Sequence, residues 1–163
     1  MKFLNVGNTG LRGRHHPALF GIFSTENVSK LRPHIKMLCN DLYTYEMKSK
    51  YQGGSPHCRL CQGPPENSEN LIHILTSCQA YSEVRSKIFI EMNNVCEQSK
   101  SQVNFLDIRS NPETLTQFIL DCTSLNLPSR ISNCDDACYL LFTLSRDLCY
   151  HIYKTRLEKL KNI

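Results

Sequence analysis

Residues 58–78 read CRLCQGPPENSENLIHILTSC, and this stretch decides how the middle of the chain folds. It places sulfur and nitrogen donors in the pattern C-x2-C-x11-H-x4-C, namely Cys58, Cys61, His73 and Cys78. Two thiols three residues apart can reach one metal ion from a tight turn, and an imidazole and a third thiol can complete a tetrahedron. Zinc prefers such ligands, and four protein ligands leave no open position for a reacting water. The pattern predicts a structural zinc knuckle over residues 56–80.

The residues between the ligands support this interpretation. Pro56 and Gly63-Pro64-Pro65 are turn formers on either side of the first thiol pair. Ser68 is a candidate N-cap for a short helix over about residues 69–76, with Glu69 favourably placed in its first turn. This helix would present the histidine ligand from one face and end just before the last cysteine ligand.

Other arrangements of the Cys and His residues were weighed against this set. His57 is an alternative ligand, but it adjoins Cys58, and neighbouring side chains rarely face one ion. Cys134, Cys138 and His151 are not expected to form a second site, because the histidine lies about three and a half turns further along one predicted helix. The knuckle residues could also be ordinary core residues, but their joint spacing with turns and a helix favours the metal site.

The cysteine content indicates a reducing compartment. Nine cysteines are scattered over helical patterns, and an odd number does not suit a secreted disulfide framework. Several occupy positions that suit small buried apolar residues: Cys39, Cys96, Cys122 and Cys149. The N-terminal apolar residues are too few for a signal peptide, and no apolar run approaches a membrane span. We therefore expect an intracellular protein, of the nucleus or cytoplasm, without a membrane partner.

Helical periodicity dominates the chain, and no alternating strand pattern stands out. The predicted helices cover residues 24–45 with a break or first turn at Pro33, residues 80–96, a helix starting at Asn111-Pro112-Glu113, and residues 135–161. The stripes expected to be buried in the first two helices are Val28, Leu31, Ile35, Leu38 and Leu42, and Tyr81, Val84, Ile88, Met92 and Val95. Residues 99–111 and 126–133 read as loops, with residues 103–106 as a candidate for docking on the core. The sequence predicts a mainly α domain over residues 24–163, preceded by an irregular basic arm over residues 1–23.

Charge is distributed unevenly along the chain. Residues 1–61 carry nine Lys and Arg against three Asp and Glu, whereas residues 62–136 carry five against ten and residues 137–163 five against two. Local basic patches attract phosphates, although any one run is more often a solvated helix face. The candidates for phosphate contact surround the knuckle: Lys48, Lys50, Arg59, Arg85 and Lys87. Tyr51 is expected to pack, with stacking on an unpaired base as the alternative.

The knuckle and its surroundings resemble the zinc knuckle near the C-terminus of non-LTR (LINE-type) retrotransposon reverse transcriptases. The similarity rests on Cys58-Arg59-Leu60-Cys61, an acidic spacer, His73-Ile74-Leu75-Thr76-Ser77-Cys78, Tyr81 and Arg85. It is sharp over residues 56–90 and loose over residues 25–160, where Leu42, Tyr45, Tyr153 and Arg156 agree with the family's flanking helices. The resemblance implies zinc as the bound ion and RNA or DNA as the partner.

The catalytic motifs of that family are missing from this sequence. Its polymerase needs an aromatic-x-Asp-Asp motif, but Asp135-Asp136 lacks the aromatic residue and starts a predicted helix, where acids are favoured. The Pro-Asp of the family's endonuclease is absent as well. We therefore expect no enzyme activity, but a zinc-binding accessory module for nucleic acid, with single strands favoured. The alternative is a zinc-stabilised protein-interaction module, for which a polymerase polypeptide is a candidate partner.

Overall fold

Helices make up most of the described chain. The computed structural model describes residues 25–61, 64, 67–99, 104–125 and 134–161. The α-helices in these ranges are α1 (Thr25–Leu38), α2 (Tyr45–Gln52), α3 (Ser82–Gln98), α4 (Phe105–Ser110), α5 (Pro112–Leu120) and α6 (Cys134–Leu160). A π-helical turn at His73–Ser77, here called the π-turn, and 3₁₀ turns at Gln79–Tyr81 and Cys122–Leu125 complete them. The mainly α prediction is confirmed, since these ranges contain no strand.

The longest helix, α6, is the axis of the core. It packs mainly against α1 and α3 and also contacts α5 and the π-turn. Its inner face carries Leu141, Leu148 and Ile152, all of them buried. Because these apolar residues recur at helical spacing, one face of α6 enters the core while the other meets solvent. The prediction of a long last helix is confirmed.

The first helix differs from its prediction in where it ends. Pro33 lies inside α1 and does not break it. Instead, α1 ends before Asn40, which has a positive φ of 55°. The Asn40 N–H bonds to the Met37 carbonyl and the Asp41 N–H to the Lys36 carbonyl, the pair of bonds that defines a Schellman cap. Asparagine tolerates this left-handed conformation better than most residues, so Asn40 separates α1 from α2.

The structure buries part of each predicted stripe, namely Leu38 and Leu42, and Tyr81 and Met92, but the buried faces of α1 and α3 are rotated relative to the rest. In α1, Val28 and Ile35 are exposed, whereas His34 and Met37 are fully buried. His34 is placed there by contacts outside its own helix: its Nε2 lies 2.8 Å from the Leu120 carbonyl and its ring packs on Phe142. In α3 the buried residues are Arg85, Phe89, Met92 and Cys96, with the predicted Val84, Ile88 and Val95 only partly buried.

The segment before α5 forms a helix that the sequence interpretation missed. Residues 99–111 read as a loop, but α4 occupies part of them and inserts Phe105 between Phe89 and Phe118. The predicted start of α5 is confirmed, since the Asn111 side chain accepts hydrogen bonds from the Glu113 and Thr114 N–H groups. Six residues are too few for a periodic pattern to be read, which explains the missed helix.

Several predictions concern residues that the structure does not describe. The basic arm at residues 1–23 and the loop at residues 126–133 lie outside the described ranges, as do the side chains of Asp135 and Asp136. Among the helices that are described, none combines the length and the apolar character that a membrane crossing requires.

A buried ion pair joins α6 to the chain just before the π-turn. The Arg156 guanidinium donates to both Glu69 carboxylate oxygens, at 2.8 and 3.3 Å, and to the Tyr43 carbonyl at 3.0 Å. The Tyr45 N–H at the start of α2 donates to the same carboxylate at 3.0 Å. Glu69 is fully buried and Arg156 is 7% exposed. The pair therefore holds α6, the start of α2 and the knuckle together.

Replacing Arg156 with methionine should destabilise the protein by about 3–5 kcal/mol, because it leaves the Glu69 charge buried without a partner. Urea denaturation followed by helical circular dichroism, at fixed metal concentration, measures this free energy of unfolding. Lys154→Met, at an exposed position of the same helix, is the matched control and should change stability by less than about 0.5 kcal/mol. The double variant Glu69→Gln/Arg156→Met should recover part of the loss. Equal stability of Arg156→Met and Lys154→Met would contradict this role.

Candidate metal centre

A short antiparallel bridge brings the first two candidate ligands beside the last two. His57 pairs with Ser68, the Cys58 N–H donates to the Asn67 carbonyl at 3.1 Å, and the Glu69 N–H donates to the Pro56 carbonyl at 2.8 Å. These bonds close the chain between residues 58 and 67 into a loop. The loop carries Cys58 and Cys61 next to the segment that holds the histidine ligand.

The segment that carries the histidine is capped by a different residue from the one predicted. The Asn70 side-chain oxygen accepts a hydrogen bond from the His73 N–H at 2.8 Å. Ser68 does not cap, since its buried hydroxyl has no hydrogen-bond partner among the described residues. Glu69 does not lie in a first helical turn either, because it is committed to the ion pair. Asn70, which directly precedes the apolar Leu71, was the overlooked cap signal.

The π-turn brings His73 and Cys78 together. The Cys78 N–H donates to the His73 carbonyl at 2.8 Å, an i to i−5 bond in place of the α-helical i to i−4 bond. Residues five apart do not share a face of an α-helix, where neighbours are three or four apart. The wider π-turn therefore brings His73 and Cys78 to the same side, which a regular α-helix with this five-residue spacing would not do. A single π-helical turn at a functional site is a common use of this geometry.

The four candidate ligands converge. Their donor atoms all lie within 4.8 Å of one another. The Cys58 and Cys78 sulfurs are 3.7 Å apart, and the Cys61 sulfur is 3.4 Å from His73 Nε2. Cys78 is fully buried, His73 is 7% exposed and Cys58 is 9% exposed. A cluster of three thiols and an imidazole at these distances could hold a metal ion.

The contact between the Cys58 and Cys78 sulfurs shifts the pKa values of the two thiols in opposite directions. The hydrogen bond from Cys78 lowers the pKa of Cys58 well below that of an ordinary thiol. The same contact, together with burial, raises the pKa of Cys78. The contact therefore favours the thiolate form of Cys58, which is the form that binds a metal ion.

Ser77 orients the histidine ligand. Its hydroxyl lies 3.1 Å from His73 Nδ1 and 3.5 Å from the His73 carbonyl. If Nε2 faces the ion, Nδ1 carries the proton and donates to Ser77, whose own proton points to the carbonyl. Ser77 follows His73 by four residues, about one helical turn. This spacing is visible in the sequence, but the contact was not predicted from it.

Arg85 differs from the other predicted phosphate contacts because its side chain is buried. Its side chain is 7% exposed and donates to the Cys78 carbonyl at 2.6 Å and to the Ile74 carbonyl at 3.4 Å. These carbonyls lie at the end of the π-turn, where backbone acceptors lack helical partners. Arg85 is therefore a buried structural residue that fixes the backbone of a candidate ligand, and it does not belong with the surface cations.

The remaining predicted cations are on the surface, with different partners. Lys50 pairs with Glu46 and Lys87 with Glu83, each at 2.8 Å. The Arg59 guanidinium lies 5.0 Å from the centre of the Tyr45 ring, and the Lys48 side chain is exposed. Tyr51 is 78% exposed, so the expectation that it packs is wrong.

Among the described residues, the other cysteines and histidines do not form a second cluster of this kind. Cys96, Cys122 and Cys149 are buried as predicted, and Cys39 is half-buried. Burial raises the pKa of Cys149, which keeps this thiol protonated. His151 is exposed on α6 and His57 is exposed beside the knuckle, so neither joins the four converging residues.

Replacing Ser77 with alanine should weaken metal binding about 10–100-fold while leaving one site per chain, because only the orientation of His73 is lost. Competition with a chromophoric chelator measures the affinity. Ser110→Ala, at an exposed position of α4, is the control and should bind as the natural sequence does. An unchanged affinity in Ser77→Ala would show that this hydroxyl does not support the ligand.

Comparisons with known proteins do not identify a family for this chain. No family model, no curated protein and no solved structure matches the chain. The candidate centre therefore rests on the convergence of Cys58, Cys61, His73 and Cys78 in the fold itself.

Proposed function

We propose that this chain is a zinc-stapled accessory module that binds single-stranded nucleic acid and catalyses no reaction. The observation that carries the proposal is the convergence of three thiols and an imidazole, in a chain that exposes Lys48, Tyr51 and Arg59 in the segment leading to the first two ligands and between them. The resemblance of residues 56–90 to the zinc knuckle of LINE-type reverse transcriptases supports the same partner class.

Zinc is the ion that the donor set favours. Two sulfurs bound at about 2.3 Å in a tetrahedron lie about 3.8 Å apart, and a sulfur and a nitrogen lie about 3.6 Å apart. The corresponding distances in the cluster are 3.7 Å and 3.4 Å. Thiolate and imidazole together suit zinc, whereas harder cations prefer oxygen ligands. Four protein ligands make the site structural.

The proposed role of zinc is to hold the loop of residues 58–67 against the π-turn. Among the described residues of this loop, the bridge at His57 and Ser68 joins the two ends, and the Asn67 N–H donates to the Pro64 carbonyl at 2.9 Å. A structural zinc ion contributes about 10–16 kcal/mol of apparent binding free energy in small zinc domains, and this becomes folding free energy. The ion would thereby position Arg59, which lies between the ligands Cys58 and Cys61 in the sequence.

The surface of α2 supports the proposed partner. None of its eight residues is buried. It is held at its start by the Thr44 side chain, which accepts from the Met47 N–H, and it ends at Gly53, where φ is 73°. A helix that contributes no side chain to the core is free to present its residues to a partner. It presents Lys48 and Lys50 with the exposed ring of Tyr51.

The chemistry of these residues favours single strands. Cationic side chains attract the phosphates, and an exposed aromatic ring can stack on an unpaired base, which contributes about 1–3 kcal/mol per base. Lys48 and Arg59 have no carboxylate partner among the described residues and are the strongest candidates for phosphate contact. Lys50 and Lys87 would exchange exposed carboxylates for phosphates, at little cost because surface ion pairs are weak.

Replacing Cys61 with serine should remove zinc and unfold residues about 56–80, since the loop then loses its link to the π-turn. The natural sequence should hold one zinc ion per chain by elemental analysis of purified protein. Cys39→Ser, at a thiol outside the cluster, is the control and should keep that ion. A natural chain without zinc, or a Cys61→Ser chain with full zinc, would overturn the assignment of the ion.

Replacing both Lys48 and Arg59 with glutamine should weaken binding of single-stranded RNA and DNA of any sequence. The plot of log affinity against log salt should become shallower by about 1.4 if two phosphate contacts are lost, at about 0.7 per contact. Fluorescence anisotropy of labelled single strands and duplexes over a salt series measures both effects, and single strands should bind at least as well as duplexes.

The matched control for this titration is Arg32→Gln/Lys36→Gln on α1, which removes the same charge away from the knuckle loop. Its salt dependence should follow that of the natural sequence. Equal losses in the two double variants would indicate attraction by net charge alone. Absence of binding at low salt would replace the proposal with the protein-interaction module.

A further inference from the structure

A polar recess lies beside the π-turn, and none of the candidate metal ligands lines it. It has a volume of about 190 Å³ and is lined by Arg85, Arg109, Thr76, Ser82 and Ser86, together with apolar side chains. This volume is well above that required for one water molecule. None of its lining residues is acidic. Two guanidinium groups and three hydroxyl groups therefore share one recess without a carboxylate among them.

Neither arginine is neutralised within the described part of the chain. Arg85 uses N–H groups on the Ile74 and Cys78 carbonyls, and Arg109 lies 5.6 Å from the centre of the Phe89 ring. Neither side chain forms an ion pair with a described carboxylate. The recess therefore concentrates positive charge that a bound anion would offset.

The donors that remain suit a tetrahedral oxyanion. A guanidinium has five N–H donors, and the two backbone carbonyls occupy only two of those on Arg85. Arg109 is exposed, so its fork can turn toward a ligand. Ser82 is the first residue of α3, a helix of 17 residues whose start adds positive potential. Paired guanidinium forks bind phosphate oxygens through charge-assisted hydrogen bonds.

We propose that the recess between Arg85 and Arg109 is a binding site for one phosphate group. Arg85 provides the rigid half of the site because it is held by the backbone at the end of the π-turn. Arg109 provides the exposed half from α4, and the Ser82 hydroxyl contributes a further donor. The phosphate belongs either to a polynucleotide or to a small phosphorylated molecule, and the two sources call for different arms of one experiment. Only the polynucleotide source rests on the proposed function.

The first arm titrates inorganic phosphate into the zinc-loaded chain at constant ionic strength, with chloride as the exchanged anion, and follows the amide resonances of residues 82–86 by NMR. The natural sequence should saturate. Arg109→Gln should weaken binding by about tenfold or more, as expected for the loss of a charge-assisted contact. Arg32→Gln, at an exposed arginine of α1 outside the recess, removes the same charge and should bind as the natural sequence does.

Several results would overturn the site. They are the absence of saturation in the natural sequence, an equal response in the Arg109→Gln and Arg32→Gln variants, or shifts confined to residues outside the recess. If Arg109→Gln does not fold, as judged by zinc content and circular dichroism, Ser82→Ala provides the decisive comparison. Its affinity for phosphate should fall, and an affinity equal to that of the natural chain would overturn the site.

The second arm separates the two sources of phosphate and the two proposals. Single-stranded oligonucleotides with and without a 5′ phosphate are titrated into the natural chain, Arg109→Gln and Lys48→Gln/Arg59→Gln. A loss of oligonucleotide affinity in Arg109→Gln would support a polynucleotide phosphate in the recess. Saturation by inorganic phosphate without oligonucleotide binding would support a small phosphorylated ligand; it would contradict the proposed function but not the phosphate site. Oligonucleotide binding without saturation by phosphate would contradict the phosphate site but not the proposed function.

Discussion

The ion pair between Glu69 and Arg156 is the constraint on which the geometry of the knuckle depends. It joins residues 87 positions apart and is buried on both sides. Removing two charges from water is costly, and the cost is offset only when the remaining hydrogen-bonding groups are also satisfied. Here the Tyr45 N–H and the Tyr43 carbonyl complete the arrangement. A displaced knuckle would leave buried charge unpaired, so one position of the loop relative to α6 is strongly favoured.

From Glu69 the chain reaches the candidate metal centre within a few residues, and each contact limits the next. Asn70 caps the following turn, and the turn widens so that the Cys78 N–H reaches the His73 carbonyl. Arg85 then holds the Cys78 carbonyl from α3. The ligands are thus positioned by backbone hydrogen bonds to fixed helices. Metal sites gain affinity from such support, because less order has to be imposed when the ion binds.

The same arrangement separates structural from surface charge. Arg85 and Arg156 are buried and bound to backbone carbonyls, whereas Lys48 and Arg59 face solvent. The basic residues near the knuckle therefore do not form one uniform patch, and counting them overstates the charge offered to a partner. The recess at Arg85 and Arg109 and the exposed face of α2 are the two places where cationic side chains remain available to a ligand.

The sequence by itself determined the features that depend on neighbouring residues. The spacing of Cys58, Cys61, His73 and Cys78, the cap at Asn111, the helical period of α6 and the mainly α character are local patterns, and the structure agrees with each. Only the tertiary structure decided the rest. The local pattern suggests a helix start at Glu69 and gives no sign that Arg85 is buried, since nothing local reveals that Arg156 or the Cys78 carbonyl will face them. The break at Asn40 is instead a local cap, formed by bonds to the Lys36 and Met37 carbonyls. The rotated face at His34 has the same origin as the burial of Glu69 and Arg85, because a residue's role in a core is set by partners that are remote in sequence.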